Sequence, residues 1–87
     1  MLVMGTNTWE RDMPKKALIF QALKWSEGVK AKGIAELRGA YIANDQKLMW
    51  CWWETENIEA LQAAFDEMNK TTGLKSKLTP IEKMYPK

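Results

Sequence analysis

The sequence contains no histidine. That absence removes the usual general base, the usual haem ligand and the commonest metal ligand together. A single cysteine, Cys51, excludes an internal disulfide, and without histidine it cannot build a zinc site within one chain. Charge of one sign is not in excess. Thirteen basic residues against eleven acidic ones leave +2, too even to imply a nucleic-acid or membrane partner by charge alone. No stretch approaches the ~20 apolar residues of a spanning helix. Met1–Met4 is too short for the apolar region of a signal peptide and has no basic leader, so a cytoplasmic location is expected. Nucleophilic triads, phosphate loops, paired-carboxylate motifs, repeats and low-complexity tracts are all missing. Neither a metal nor a cofactor is expected, and the sequence leaves open whether the chain is an enzyme.

What is present is bulk. Apolar residues make up 46% of the 87, with five Trp and six Met among them, which suits one globular domain over residues 1–87 and excludes disorder. A chain this short buries a small fraction of its surface, and oligomerisation is a common remedy. Lys47-Leu48-Met49-Trp50-Cys51-Trp52-Trp53-Glu54 holds three of the tryptophans between charged ends and reads as a central strand. Leu48, Trp50 and Trp52 share one face of it; Met49, Cys51 and Trp53 share the other. Both faces are apolar, so both need cover.

The rest of the chain falls into alternating elements. Leu2–Trp9 reads as a first strand, with Val3, Gly5, Asn7 and Trp9 on one side. A helix follows from Pro14 to about Glu27, capped by Asp12 and stopped by Gly28. Its stripe is Leu18, Ala22 and Trp25, yet Ile19, Phe20 and Leu23 lie off it and point to a partner surface. Val29–Gly33 suits either a longer helix or a strand start. The second strand is placed at Ile34–Ala43, with a bulge near Gly39, and Asn44-Asp45-Gln46 turns the chain into the Trp-rich strand as a hairpin. Asn57 caps a second helix whose Ile58, Leu61, Phe65 and Met68 show the clearest helical period. Gly73 ends it, with Leu74 folding back on Met68 in a Schellman ending. Ser76–Tyr85 is the last strand, and Pro80 assigns it to an edge.

Strand, helix, strand, strand, helix, strand is the α+β, ferredoxin-like βαββαβ order: a four-stranded antiparallel sheet with two helices on one face. The other face then carries one set of tryptophans. Each ring offers ~150–250 Å², and two in a row make a patch that soluble monomers rarely expose. A second copy, sheet against sheet, is one cover; stacked bases of single-stranded RNA are another. The RNA recognition motif shares this topology. Its third strand runs Lys/Arg-Gly-aromatic-Gly-aromatic, however, where this chain has Lys47-Leu48-Met49-Trp50-Cys51-Trp52, and its first strand carries an aromatic that Leu2–Asn7 lacks. Nucleic acid is therefore an unlikely partner.

Met1–Trp9, Glu27-Gly28-Val29-Lys30, the Trp-rich strand running into Glu54-Thr55-Glu56-Asn57-Ile58-Glu59-Ala60-Leu61, and Leu78-Thr79-Pro80-Ile81 together resemble the dimeric α+β barrel superfamily. Within it they resemble small uncharacterised families related to antibiotic-biosynthesis monooxygenases. The resemblance implies a homodimer joined through its sheet faces and an apolar cavity between helices and sheet. Relatives include cofactor-independent monooxygenases of polycyclic phenols and haem-degrading monooxygenases, in which an Asn near the end of the first strand holds the substrate. Asn7 is placed similarly. Haem and nickel roles in such proteins rely on His, which this chain lacks. The expected function is binding of an apolar or aromatic small molecule, with Asn7, Trp9, Tyr41, Trp50 and Trp52 as ligand-binding candidates. The alternative is a cofactor-independent monooxygenase or isomerase on an aromatic or enolisable substrate, in which Asn7 orients a carbonyl or oxyanion. Tyr41 and Tyr85 are further hydrogen-bond donors, and Arg38 and Glu54 a further pair.

Overall fold

The computed structural model describes residues 1–86 and has the expected order: β1 (Leu2–Thr8), α1 (Lys15–Ala31), β2 (Glu36–Ile42), β3 (Leu48–Glu54), α2 (Ile58–Thr72) and β4 (Lys75–Ile81). The strands form one antiparallel sheet in the order β2-β3-β1-β4. The Trp-rich β3 is central and the Pro80 strand is an edge, because a residue without an N–H cannot sit in the middle of a ladder. Both helices cover the same sheet face, to which β1 contributes Val3, Gly5 and Asn7 and β3 contributes Met49, Cys51 and Trp53.

Several local readings of the sequence are corrected. Asp12 does not cap α1. Pro14 stands at the cap position with no side-chain bond, and the Asp12 carboxylate pairs with Lys47 Nζ at 2.9 Å. Gly28 does not end α1 either. The helix runs through it to Ala31, since Val29 one residue later is 4% exposed and its burial outweighs the ~1 kcal/mol that glycine costs in a helix. The stop is Gly33, at φ +72°. There the Ile34 N–H donates to Val29 O (3.2 Å) and the Gly33 N–H to Lys30 O (2.9 Å), the paired bonds of a Schellman ending. Gly73, at φ +76°, closes α2 with a single bond to Asn69 O rather than the paired bonds of a Schellman ending, and Leu74 packs on the cluster around Trp9, Leu18 and Met49. The strands are also shorter than read. β2 begins at Glu36, and β4 stops at Ile81, where its pairing partner Leu2 begins β1. The bulge near Gly39 is present, as a register shift between Leu37 and Gly39.

Asn57 caps α2 as expected, its Oδ1 accepting from the Ala60 N–H at 3.1 Å. Thr55, buried just upstream, donates to Ile34 O (2.7 Å) and accepts from the Asn57 N–H (3.0 Å), which ties the start of α2 to the end of α1.

The core has two parts. The larger is built on Val3, Val29, Cys51, Trp53, Leu61 and Phe65. At its centre Trp25, Trp53 and Phe65 meet as an aromatic trio, with centroids 4.5–5.8 Å apart and edge-on or tilted rings; such pairs add about 0.5–1.5 kcal/mol each beyond area burial. The smaller part is Trp9, Leu18 and Met49, which closes the end of the sheet near the β2–β3 hairpin.

Candidate functional site

The two faces of β3 now have distinct roles. Met49, Cys51 and Trp53 point at the helices, while Leu48, Trp50 and Trp52 point away. Cross-strand register sets Met4 beside Trp52, Thr6 beside Trp50 and Tyr41 opposite Trp50. Tyr41 packs edge-on against Trp52 at 5.3 Å, and Trp52 lies over Gly39, where a Cβ would stand 3.8 Å from its ring. No helix covers this side. Tyr41 is 66% exposed and both Trp rings are half-buried.

Under the helices lies a cavity of about 60 Å³. Its walls are mainly Leu18, Trp25, Met49, Trp53, Phe65 and Met68, and its polar floor is Asn7 with Cys51. Leu23 of α1 and Ala40 of β2 also line it and are exposed, so the cavity meets solvent between α1 and the β2 edge.

The floor is a polar relay. Asn7 is 1% exposed. Its Nδ2 donates to Met49 O (3.3 Å) and to Cys51 Sγ (3.5 Å). Met49 O can only accept, and that fixes which end of the amide faces it. Oδ1 then accepts from Ser76 Oγ at 2.6 Å, and Ser76 in turn accepts from Asn69 Nδ2 at 3.0 Å. On the other side, Trp53 Nε1 donates to Cys51 Sγ at 2.9 Å. Gly5 makes room for that sulfur, since a Cβ there would come within 3.0 Å of it. Burial pushes the Cys51 thiol above its usual range, and the N–H groups of Trp53 and Asn7 oppose the shift without reversing it. Cys51 is thus a protonated, enclosed thiol rather than a nucleophile. Among the described residues no buried side-chain polar atom lacks a partner, and no three acidic or sulfur ligands gather as a metal site.

The ligand-binding candidates therefore divide. Asn7 is on the cavity floor. Trp9 is buried against Leu18 and Met49 and closes the neighbouring end of the core without lining the cavity. Tyr41, Trp50 and Trp52 lie together on the opposite, open face of the sheet. Tyr85 is exposed after β4; Arg38 Nη1 stands 3.8 Å from Glu36, and Glu54 pairs with the Met1 amino group at 2.8 Å. Ser76, Asn69 and Trp25 are site residues that pattern reading missed. Their only signal is proximity created by the fold.

No family model matches the sequence, and no curated protein matches it. Solved structures do. Protein Atu4242 from Agrobacterium tumefaciens superposes with a TM-score of 0.57 at 8% identity, over 99% of this chain and 98% of that one. A crystal structure of an antibiotic biosynthesis monooxygenase also gives 0.57 at 8% identity, over 95% of this chain and all of that one. An uncharacterized NIPSNAP domain protein from Burkholderia xenovorans gives 0.49 at 18% identity, with both chains fully covered. The fold shared with these structures is the ferredoxin-like α+β fold, a βαββαβ order with four antiparallel strands and two helices. The sheet face carrying Trp50 and Trp52 is the one the helices leave open, and the cavity above Asn7 lies on the other side. Identity this low carries the fold and not the chemistry. No helix of the described residues is long and apolar enough to cross a membrane.

Proposed function

We propose that this chain is a homodimeric small-molecule-binding domain. Two copies pack through their open sheet faces, and an apolar or aromatic molecule occupies the cavity above Asn7. The observation that carries the reading is the cavity itself, with apolar and aromatic walls, one oriented amide and a mouth between Leu23 and Ala40. That combination is the usual make-up of a small-molecule site. At about 60 Å³ the cavity is smaller than the ~150 Å³ that admits benzene. A ring enters only when Leu23 or Met68 swings aside, and the unbranched Met68 is suited to that.

The exposed Tyr41 and the half-buried Trp50 and Trp52 support the dimer, because a second copy would remove their remaining exposed surface from water at ~25 cal/mol per Å² of apolar surface. Light scattering should give twice the protomer mass, and Trp50→Glu should lower it while the far-UV spectrum persists. For the cavity, a phenol-sized ligand should raise the melting temperature of the wild-type protein. It should not raise that of Ala40→Trp, which blocks the mouth at an exposed position. Equal shifts in both proteins would sink the cavity reading.

Asn7 on the cavity floor favours one alternative, a cofactor-independent oxygenase or isomerase, and one of the solved structures of this fold is named a monooxygenase. Binding without catalysis is preferred because both Asn7 N–H groups are already spent on Met49 O and Cys51 Sγ, leaving no donor for a substrate oxyanion. Oxygen consumption with quinol substrates, abolished by Asn7→Ala, would reverse that preference.

A further inference from the structure

The helices do not close over the sheet completely. Between them runs an open groove of about 840 Å³, outside the cavity and on the opposite side of the molecule from Trp50 and Trp52. Its floor is Trp25 and Met68, and Ala60, Ala63 and Ala64 of α2 form one wall. Trp25 packs on Trp53 and Phe65 beneath it and is only half-buried, so the base of the groove is aromatic. Sites for small organic molecules span ~300–1,000 Å³ and are apolar with a few polar groups, and the groove falls within that range where the cavity does not.

The α1 wall has a gap at its middle. Lys24, Gly28 and Lys32 stand four residues apart, on successive turns of one face, and all three line the groove. Glycine is among the poorest residues for a helix interior. Nothing around Gly28 asks for one: its φ is not positive, and a Cβ there would meet nothing within 4 Å. What the missing side chain does is leave space between two ammonium groups. Those two positions are about 12 Å apart along the helix axis, a span that two flexible four-carbon stems can close onto one anion. Their charge is uncompensated. Among the described residues neither Lys24 nor Lys32 has an ion-pair partner, and the acid that lines the groove, Glu67, is already paired with Lys70 at 3.1 Å. An occupant must therefore bring negative charge as well as apolar surface.

We propose that the groove is a binding site for a small aromatic carboxylate. The carboxylate sits over Gly28 between Lys24 and Lys32, and the ring lies along Ala60, Ala63 and Ala64 with Trp25 and Met68 beneath it. A thioether sulfur beside an aromatic ring is a favourable contact. No arginine lines the groove to grip a phosphate in a fixed fork, which favours a carboxylate as the anion. The site goes beyond the cavity reading and does not need it, although Gln21, Trp25 and Met68 line both spaces and stand between them.

The test is calorimetric titration of the full chain with 2-naphthoate and with its neutral isostere 2-naphthamide. Naphthoate should bind the wild-type protein more tightly than naphthamide does, and its affinity should fall at about 0.5 M salt, as exposed charges require. Gly28→Leu fills the gap and should raise the Kd for both compounds at least tenfold. Leucine is a better helix former than glycine at this exposed position, so the melting temperature of that variant should match or exceed that of wild type. Lys24→Gln/Lys32→Gln should raise the Kd for naphthoate at least tenfold and leave that for naphthamide unchanged. Ala40→Trp, which blocks the mouth of the cavity, should leave naphthoate binding unchanged. Equal affinity for the two compounds, or no naphthoate binding at millimolar concentration, would overturn the proposal. Naphthoate binding that survives Gly28→Leu and is lost in Ala40→Trp would place the ligand in the cavity, overturning the groove site while upholding the cavity reading. A solution mass lowered by Gly28→Leu would seat a second copy in the groove and overturn the proposal as well.

Discussion

Replacing Asn7 by leucine keeps the branched shape of the side chain and removes every polar contact of the relay. Asn7 makes hydrogen bonds to Met49 O, Cys51 Sγ and Ser76 Oγ. At a net ~1 kcal/mol each, their loss costs about 3 kcal/mol, with the Ser76 hydroxyl left to find another acceptor. For a domain of this size that lowers the melting temperature by roughly 12–24 °C. It is also a large share of a total stability on the order of 4–13 kcal/mol. Urea unfolding followed by tryptophan fluorescence reports the change directly. Asn7→Asp gives the same experiment a sign. Ser76 can still donate to the carboxylate, but Met49 O then faces an acceptor, and burial raises the carboxyl pKa in the fold above its unfolded value of ~3.9. The penalty is therefore full at pH 7 and shrinks as the pH falls through the folded-state pKa, so Asn7→Asp should recover stability relative to wild type near pH 4. Asn7→Leu should show no such recovery. A leucine variant within 1 kcal/mol of wild type, or an aspartate variant with a flat pH profile, would mean that the amide is not held by the relay. It would then be free to serve a ligand.

Three further outcomes are expected. Gly28→Ala should raise stability by ~0.5–1 kcal/mol in thermal melts, since the helix passes through this position and nothing lies within 4 Å of a new Cβ, whereas Gly33→Ala, at φ +72°, should cost ~1 kcal/mol. Gly5→Ala should destabilise by ~1–3 kcal/mol through its 3.0 Å approach to Cys51 Sγ, and a double-mutant cycle with Cys51→Ala should recover part of that loss; additive effects would show that the sulfur is not what the methyl meets. Cys51 should react with a thiol reagent at pH 8 only after unfolding in urea, because burial keeps it protonated and enclosed. Rapid labelling of the native protein would contradict that burial.

The element order was legible because strand alternation and the Ile58–Leu61–Phe65–Met68 period are local signals. Pro80 at an edge and Asn57 as a cap were legible for the same reason: each states a backbone requirement on its own. The end of α1 was not. Gly28 and Gly33 are both glycines near a helix end, and only the burial of Val29 between them decides which one stops the helix. The orientation of β3 was equally hidden, because Trp50/Trp52 and Trp53 are the same residue type on opposite faces. What selects Trp53 for the interior is the indole N–H finding Cys51 Sγ above the gap at Gly5, a fit between two strands that no single stretch encodes. Asn7 could be singled out by its place near the end of β1. Its partners Ser76 and Asn69 could not, since they arrive from β4 and α2.

The Ser76–Asn7 bond also acts as a proofreading device for the outermost strand. β4 is held to the sheet only through β1, and its own residues alternate Lys75, Ser76, Lys77, Leu78. A slip of one position would place a lysine ammonium, a donor with no acceptor capacity, where the serine hydroxyl both gives and receives, and would turn Leu78 out to water. The wrong alignment is thus penalised twice, in polarity and in packing, so an edge otherwise open to mispairing has a single register.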